Sequence, residues 1–116
     1  MKGKFFIQTY GCQMNVHDTE YMCAILNKAG YAQAQTLKEA DIILLNTCAV
    51  RQKAEEKVYS FLGRLKAFKK RHPGLIIGVG GCVAQKEGER ILKRIPYIDL
   101  VFGTHQFFRV AELIEE

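Results

Sequence analysis

The sequence has no long hydrophobic run. Its first eight residues, Met1–Gln8, contain two lysines and an apolar run of only three residues, which is too short for a signal peptide. No stretch approaches the length that a membrane span requires. We therefore expect a cytoplasmic protein with no membrane partner, in which cysteines serve as metal ligands or buried thiols rather than as disulfides.

Several common chemical signatures are also missing. No two cysteines are separated by two residues, so the knuckle of most structural zinc sites and the thioredoxin-like dithiol are absent. The only serine, Ser60, lies inside a helical pattern and is no candidate for a triad nucleophile. Val83 occupies the third glycine position of a dinucleotide fingerprint, which argues against a nucleotide-binding loop. We interpret the three scattered histidines as capping or surface residues: His17, His72 and His105.

The composition is that of one soluble globular domain. The chain has 116 residues, of which 48% are hydrophobic and 25% are charged. Its net charge of +5 is compatible with a polyanionic partner but does not require one. The end of one helical segment is rich in basic residues, and it fits both phosphate binding and a solvated helix face: Arg64, Lys66, Lys69, Lys70 and Arg71.

Apolar residues alternate between strand-like runs and helical spacing along the whole chain. This alternation predicts an α/β fold: a five-stranded, mainly parallel sheet with helices on both faces, that is, a doubly wound domain. The predicted strands are 4–9, 32–36, 42–45, 75–79 and 98–102. The predicted helices are 15–29, 51–71 and 83–94, followed by a last helix capped by Thr104.

Three of the four cysteines occupy equivalent positions in this pattern. Cys12, Cys48 and Cys82 each follow a strand-like run and precede a helical one. Because such turns open on the same edge of a parallel sheet, we expect the three thiols to converge there. Helix N-termini favour thiolates, and three thiolates can hold a four-iron cluster while leaving one iron without a protein ligand. The pattern therefore predicts a cluster site.

The remaining polar and thiol side chains have weaker assignments. Asn15, Asn46 and Thr47 lie at two of the three turns, where short polar groups can cap helices or donate hydrogen bonds to cluster sulfur. Capping alone is the favoured explanation for their presence. Cys23 lies in the middle of the first predicted helix, and we expect it to be a packed thiol outside the site.

The residues around the three cysteines resemble a known family. The segments Gln8–Asn15, Asn46–Arg51 and Gly80–Gln85 are similar to the three signatures of the N-terminal domain of the radical-SAM methylthiotransferases. The Gln-Met-Asn after Cys12 and the run Arg51–Val58 resemble the branch that modifies tRNA, in particular isopentenyladenosine beside the anticodon. The resemblance covers the whole chain.

The resemblance implies an auxiliary 4Fe-4S cluster on Cys12, Cys48 and Cys82 that presents the sulfur to be inserted. It also implies a second 4Fe-4S cluster in a barrel domain, which cleaves S-adenosylmethionine to a radical that attacks C2 of the adenine. The expected substrate partner is tRNA, and the expected state is monomeric. Residues 1–116 would form the N-terminal domain, inactive without the barrel and the RNA-binding domain, neither of which is in this chain. The alternative is a cluster-binding module for electron transfer or regulation.

Overall fold

The fold is built around one five-stranded sheet. A computed structural model describes residues 3–9, 13–47, 52–81 and 89–115. All strand pairs are parallel, in the order β2-β1-β3-β4-β5. The predicted α/β class is confirmed. The strands are β1 (Lys4–Thr9), β2 (Ala32–Gln33), β3 (Ile42–Thr47), β4 (Ile76–Gly81) and β5 (Leu100–Phe102).

Helices cover both faces of the sheet, as the alternating pattern predicts. The helices are α1 (Gln13–Lys28), α2 (Gln52–Arg71), α3 (residues 89–94) and α4 (Val110–Glu115). Two short 3₁₀ segments, Leu37–Glu39 and Thr104–Arg109, connect elements. Among the described helices, none is both long and apolar enough to cross a membrane.

The central strand β3 separates two apolar clusters. Ile43 and Leu45 pack with α2 and α3 on one face, whereas Ile42 and Leu44 pack with α1 and α4 on the other. Every residue of β3 is buried. This explains the uncharged sequence of the strand, since neither of its faces meets water.

Two helices end at the signals that the sequence carries. Gly30 has a φ of 105°, and the bonds from Gly30 N–H to Asn27 O and from Tyr31 N–H to Leu26 O close α1 with a Schellman motif. The α2 helix ends at Arg71, two residues before Pro73 and three before Gly74. Both helices therefore return the chain to the amino edge of the sheet, where β2 and β4 begin.

Some predicted boundaries were wrong. The second strand has two residues instead of five, because Leu37–Glu39 turns the chain and the Glu39 carboxylate accepts a hydrogen bond from Gln35 N–H. Thr104 does not cap an α-helix, since it begins a 3₁₀ segment after Gly103 and α4 begins only at Val110. Strands β3 and β4 each extend two residues further than predicted towards the carboxyl edge. The first part of the predicted helix 83–94 lies outside the described residues.

Candidate functional site

Three neighbouring strands lead to the three cysteines. In the strand order, β3 lies between β1 and β4, and the winding of the sheet reverses between β1 and β3. Ligands of open α/β sheets bind at the carboxyl edge beside such a reversal. Neighbouring strands lie about 4.8 Å apart, so the ends of these three strands fall within about 10 Å.

The cysteines themselves lie outside the described residues. Cys48 and Cys82 directly follow the last residues of β3 and β4, and Cys12 comes three residues after the end of β1. The topology thus brings the three preceding strands together at one edge. The convergence of the sulfur atoms stays a prediction.

The register aligns the strand ends. Thr9, the last residue of β1, pairs with Asn46, and Asn46 pairs in turn with Gly80. One position further, Thr47 pairs with Gly81 at the ends of β3 and β4. The chain therefore leaves β3 and β4 at the same level, immediately before their cysteines.

A hydrogen-bond network ties β1, β3 and α1 together beneath this edge. The side-chain amide of Asn46 donates to the Thr19 hydroxyl over 2.9 Å. The hydroxyls of Thr19 and Thr9 lie 2.7 Å apart, so one donates to the other. Asn46 is completely buried, and a buried amide is stable only with such partners. Thr19 thereby fixes α1 to the ends of two strands.

The ends of β3 and β4 approach each other closely. The Thr47 hydroxyl, also completely buried, donates to Gly80 O over 2.7 Å. Gly81 has a φ of 99°, and a Cβ at this position would clash with the Thr47 carbonyl oxygen. A Cβ at Gly80 would clash with the Phe102 ring. Only glycine therefore fits the two positions that precede Cys82.

The buried polar side chains mark this edge within the part of the chain that the structure describes. Asn46 and Thr47 are the polar residues that are buried there, and every other buried residue is apolar or glycine. Both residues are the last two of β3, at the carboxyl edge, and their predicted role beside a cluster stays a prediction. The side chain of Asn15, the third predicted neighbour, lies outside the described residues. Its role stays a prediction.

Cys23 lies apart from this edge, on α1. It is half-buried against the cluster formed by α1 and α4. Burial, and secondarily the negative charge of Glu20, raises the pKa of the Cys23 thiol above its ordinary value. A thiol that stays protonated is a poor metal ligand, which agrees with the expected packing role.

The side chains of two histidines, His17 and His72, are described, and that of His105 lies outside the described residues. His17 is exposed on α1, and His72 lies 3.2 Å from the Asp41 carboxylate at the amino edge of the sheet. Over residues 3–9, 13–47, 52–81 and 89–115, no three histidine, cysteine or acidic side chains cluster closely enough to hold a metal ion. The proposed cluster ligands, Cys12, Cys48 and Cys82, lie outside these ranges.

Sequence reasoning missed Thr19. A signal was present, because Thr19 lies three residues before Met22 and seven before Leu26, on the apolar stripe of α1. A polar residue on a buried stripe needs a partner, but the sequence does not say which one. The partners became visible only with the strand register.

Comparison with known proteins connects this edge to a family. The profile of the uncharacterized protein family UPF0004 matches residues 4–103, which include all four cysteines. Three similar proteins are each named tRNA-2-methylthio-N(6)-dimethylallyladenosine synthase. They come from Geotalea uraniireducens (52% identical over 109 residues), Bacillus subtilis (53% over 115 residues) and Cereibacter sphaeroides (55% over 112 residues).

The similarity extends over almost the whole chain but only part of each relative. The aligned region covers 94 to 97% of this chain and 23 to 26% of those three proteins. The chain thus spans about a quarter of the length of the relatives it matches.

Proposed function

The chain belongs to the UPF0004 family, and from this we propose that it is the N-terminal, cluster-bearing domain of a tRNA methylthiotransferase. The complete enzyme would use S-adenosylmethionine to insert a methylthio group at C2 of isopentenyladenosine beside the anticodon. The names and identities of the relatives support this assignment. The observation that carries it is the adjacency of β1, β3 and β4, whose ends precede Cys12, Cys48 and Cys82.

The proposed ligands of a 4Fe-4S cluster are Cys12, Cys48 and Cys82. The donor set fits, because thiolates are the usual protein ligands of iron–sulfur clusters. The edge also fits, since Gly80 and Gly81 let the end of β4 lie directly against Phe102 and Thr47, so that β3 and β4 end side by side before Cys48 and Cys82. When bound, the cluster supplies an iron without a protein ligand, at which the sulfur to be transferred can be held.

The chain's own residues prepare this edge. Helix α1 begins at Gln13, directly after Cys12, so its unpaired amide groups favour a negatively charged sulfur there. Thr19 holds Asn46 and Thr9, which fixes the ends of β3 and β1 relative to each other. Thr47 performs the same function between β3 and β4 through Gly80 O. These contacts fix the strand ends that precede the cysteines, which suits rigid ligation of a cluster.

The rest of the reaction belongs to parts of the enzyme beyond this chain. We assign residues 1–116 to one domain, followed in the complete enzyme by a barrel with a second 4Fe-4S cluster and by an RNA-binding domain. The relatives are about four times as long as the aligned region, which accommodates both. In this proposal the domain is inactive alone, the enzyme acts on tRNA as a monomer in the cytoplasm, and electron transfer is not its main role.

The test uses a chimera, because the chain aligns with the Bacillus subtilis protein over 115 residues. This chain replaces the corresponding segment of that protein, and methylthio-modified adenosine is measured in tRNA by mass spectrometry. We expect product from the chimera and none from its Cys48→Ala variant. Cleavage of S-adenosylmethionine should remain measurable in the variant, because that chemistry uses the separate cluster. Wild-type product from Cys48→Ala would refute the proposal.

A further inference from the structure

The charges of the domain are distributed unequally between its two helical layers. In α2, residues 59–71 contain five lysines and arginines and no acidic residue. Residues 90–97, which include most of α3, contain three lysines and arginines and no acidic residue. On the opposite face, α1 has two acidic residues, Asp18 and Glu20, and one basic residue, Lys28. The segment 109–115 has two glutamates and one basic residue, Arg109. The layer formed by α2 and α3 therefore carries the positive charge of the domain.

The basic residues of α2 include a row that continues from Tyr59. Lys66 and Lys70 lie seven and eleven residues after Tyr59, which places all three on one stripe of the helix. Both lysines are exposed, whereas Leu62 and Leu65 face the core. Among the described residues, neither lysine forms an ion pair. Their charges are thus available to an external anion.

Helix α3 lies beside this stripe. The Arg94 guanidinium is 4.6 Å from the centre of the Tyr59 ring, and the Tyr97 hydroxyl donates to Leu62 O. These contacts place Arg94 beside Tyr59, at the end of the stripe that lies nearer the start of α2. A guanidinium held over the face of an aromatic ring can still donate its N–H groups to phosphate. We call this surface the basic groove: Tyr59, Lys66, Lys70 and Arg94.

One neighbouring lysine does not belong to the groove. Lys69 donates to Asp99 Oδ2 over 2.8 Å and to Leu75 O, and Asp99 also accepts from Ile77 N–H. Lys69 is therefore part of the structural link between α2 and β4. The basic run of the sequence therefore contains one structural residue, Lys69, beside the exposed Lys66 and Lys70.

We infer that the basic groove binds the phosphodiester backbone of the tRNA substrate. A row of exposed basic side chains beside an aromatic ring can contact successive phosphates of a nucleic-acid backbone. The inference rests on the proposed function, because that function supplies tRNA as the polyanion. It adds the place on this domain at which the tRNA would be held.

The location of the groove suits a substrate whose reacting base lies at the carboxyl edge. Helix α2 starts at that edge and runs away from it. With a rise of 1.5 Å per residue, Tyr59 lies about 10 Å and Lys70 about 27 Å along the axis from the start of α2. The groove would therefore contact phosphates remote from the modified base, and it would contribute affinity rather than chemistry.

The test measures binding of a fluorescein-labelled, unmodified tRNA transcript to the chain by anisotropy, over a range of salt concentrations. We expect Lys66→Gln/Lys70→Gln to bind about tenfold more weakly at low salt than the wild-type chain. The slope of log K against log salt should fall by about 1.5, which corresponds to two lost phosphate contacts. Circular dichroism checks that the variant is folded.

The matched control is Lys28→Gln/Lys38→Gln, which removes the same charge from exposed positions outside the groove. We expect it to retain wild-type affinity and salt slope. Equal losses in both variants would show a general charge effect and overturn the inference. So would unchanged binding in the groove variant, or binding of phosphatidylserine vesicles without binding of tRNA.

Iron uptake by the same variants separates this inference from the proposed function. A groove variant with wild-type iron uptake and unchanged tRNA binding refutes the groove alone. A wild-type chain that takes up no iron on reconstitution refutes the cluster assignment, whatever its affinity for tRNA.

Discussion

The side-chain amide of Asn46 donates a hydrogen bond to the hydroxyl of Thr19, over 2.9 Å, across the boundary between β3 and α1. Asn46 lies two residues before Cys48, and Thr19 lies seven residues after Cys12. This one contact therefore joins the elements that carry two of the three proposed cluster ligands. Because Asn46 is completely buried, loss of its partner cannot be compensated by bulk water.

Replacing Thr19 by valine tests this relationship. The substitution keeps the shape of the side chain but removes the hydroxyl that bonds to the Asn46 amide and to the Thr9 hydroxyl. We expect a loss of about 1–3 kcal/mol in the free energy of unfolding, measured by urea denaturation. The control is Thr36→Val, at an exposed threonine whose side chain makes no capping hydrogen bond. That change should stay within about 0.5 kcal/mol, and equal effects of both variants would contradict the assigned role.

Gly81 offers a second test, through the backbone. Gly81→Ala places a Cβ against the Thr47 carbonyl oxygen at a φ of 99°, so we expect destabilisation of more than about 1 kcal/mol. Gly63→Ala is the matched control, because Gly63 lies inside α2 and nothing is near its Cβ direction. Alanine there should stabilise the domain by about 0.5–1 kcal/mol. Thermal unfolding distinguishes the expected loss of stability in Gly81→Ala from the expected gain in Gly63→Ala. A Gly81→Ala protein as stable as wild type would contradict the close approach of the strand ends.

The raised pKa of the Cys23 thiol predicts slow alkylation. Cys12, Cys48 and Cys82 are first replaced by alanine. The rate at which iodoacetamide alkylates Cys23 should then reach its plateau at a higher pH than the rate for a free thiol, because less of the Cys23 thiol is ionised at any given pH. Glu20→Gln removes the smaller of the two causes and should shift the profile to lower pH. A rate that rises at the same pH as that of a free thiol, or at a lower pH, would contradict the burial of Cys23.

The sequence predicted the parts of the fold that depend on periodic patterns. The apolar run of β3 and the stop signals at Gly30 and Pro73 each reflect a local cause, namely burial on both faces or a backbone restriction. The positions of the three cysteines relative to their strands followed from the same patterns. The second strand was overestimated because apolar residues alone do not show that Glu39 closes a turn with Gln35.

Pairwise relationships across the fold were not predictable. The hydrogen bond from Asn46 to Thr19 depends on the register of β1 with β3, which no local pattern encodes. The distinction between Lys69 and Lys70, which are adjacent in one basic run, depends on Asp99, thirty residues from Lys69. Tertiary contacts of this kind decide which polar residues are structural and which remain available for binding.

The most direct test of the account is the iron and sulfide content of the chain after anaerobic reconstitution, with absorbance and EPR spectra. We predict about four irons and four sulfides per wild-type chain, and the same content in the Cys23→Ala control. Cys12→Ala, Cys48→Ala and Cys82→Ala should each lose most of this iron. Equal iron in wild type and in all three variants, or loss of iron only in Cys23→Ala, would contradict the claim that these three cysteines form one cluster site.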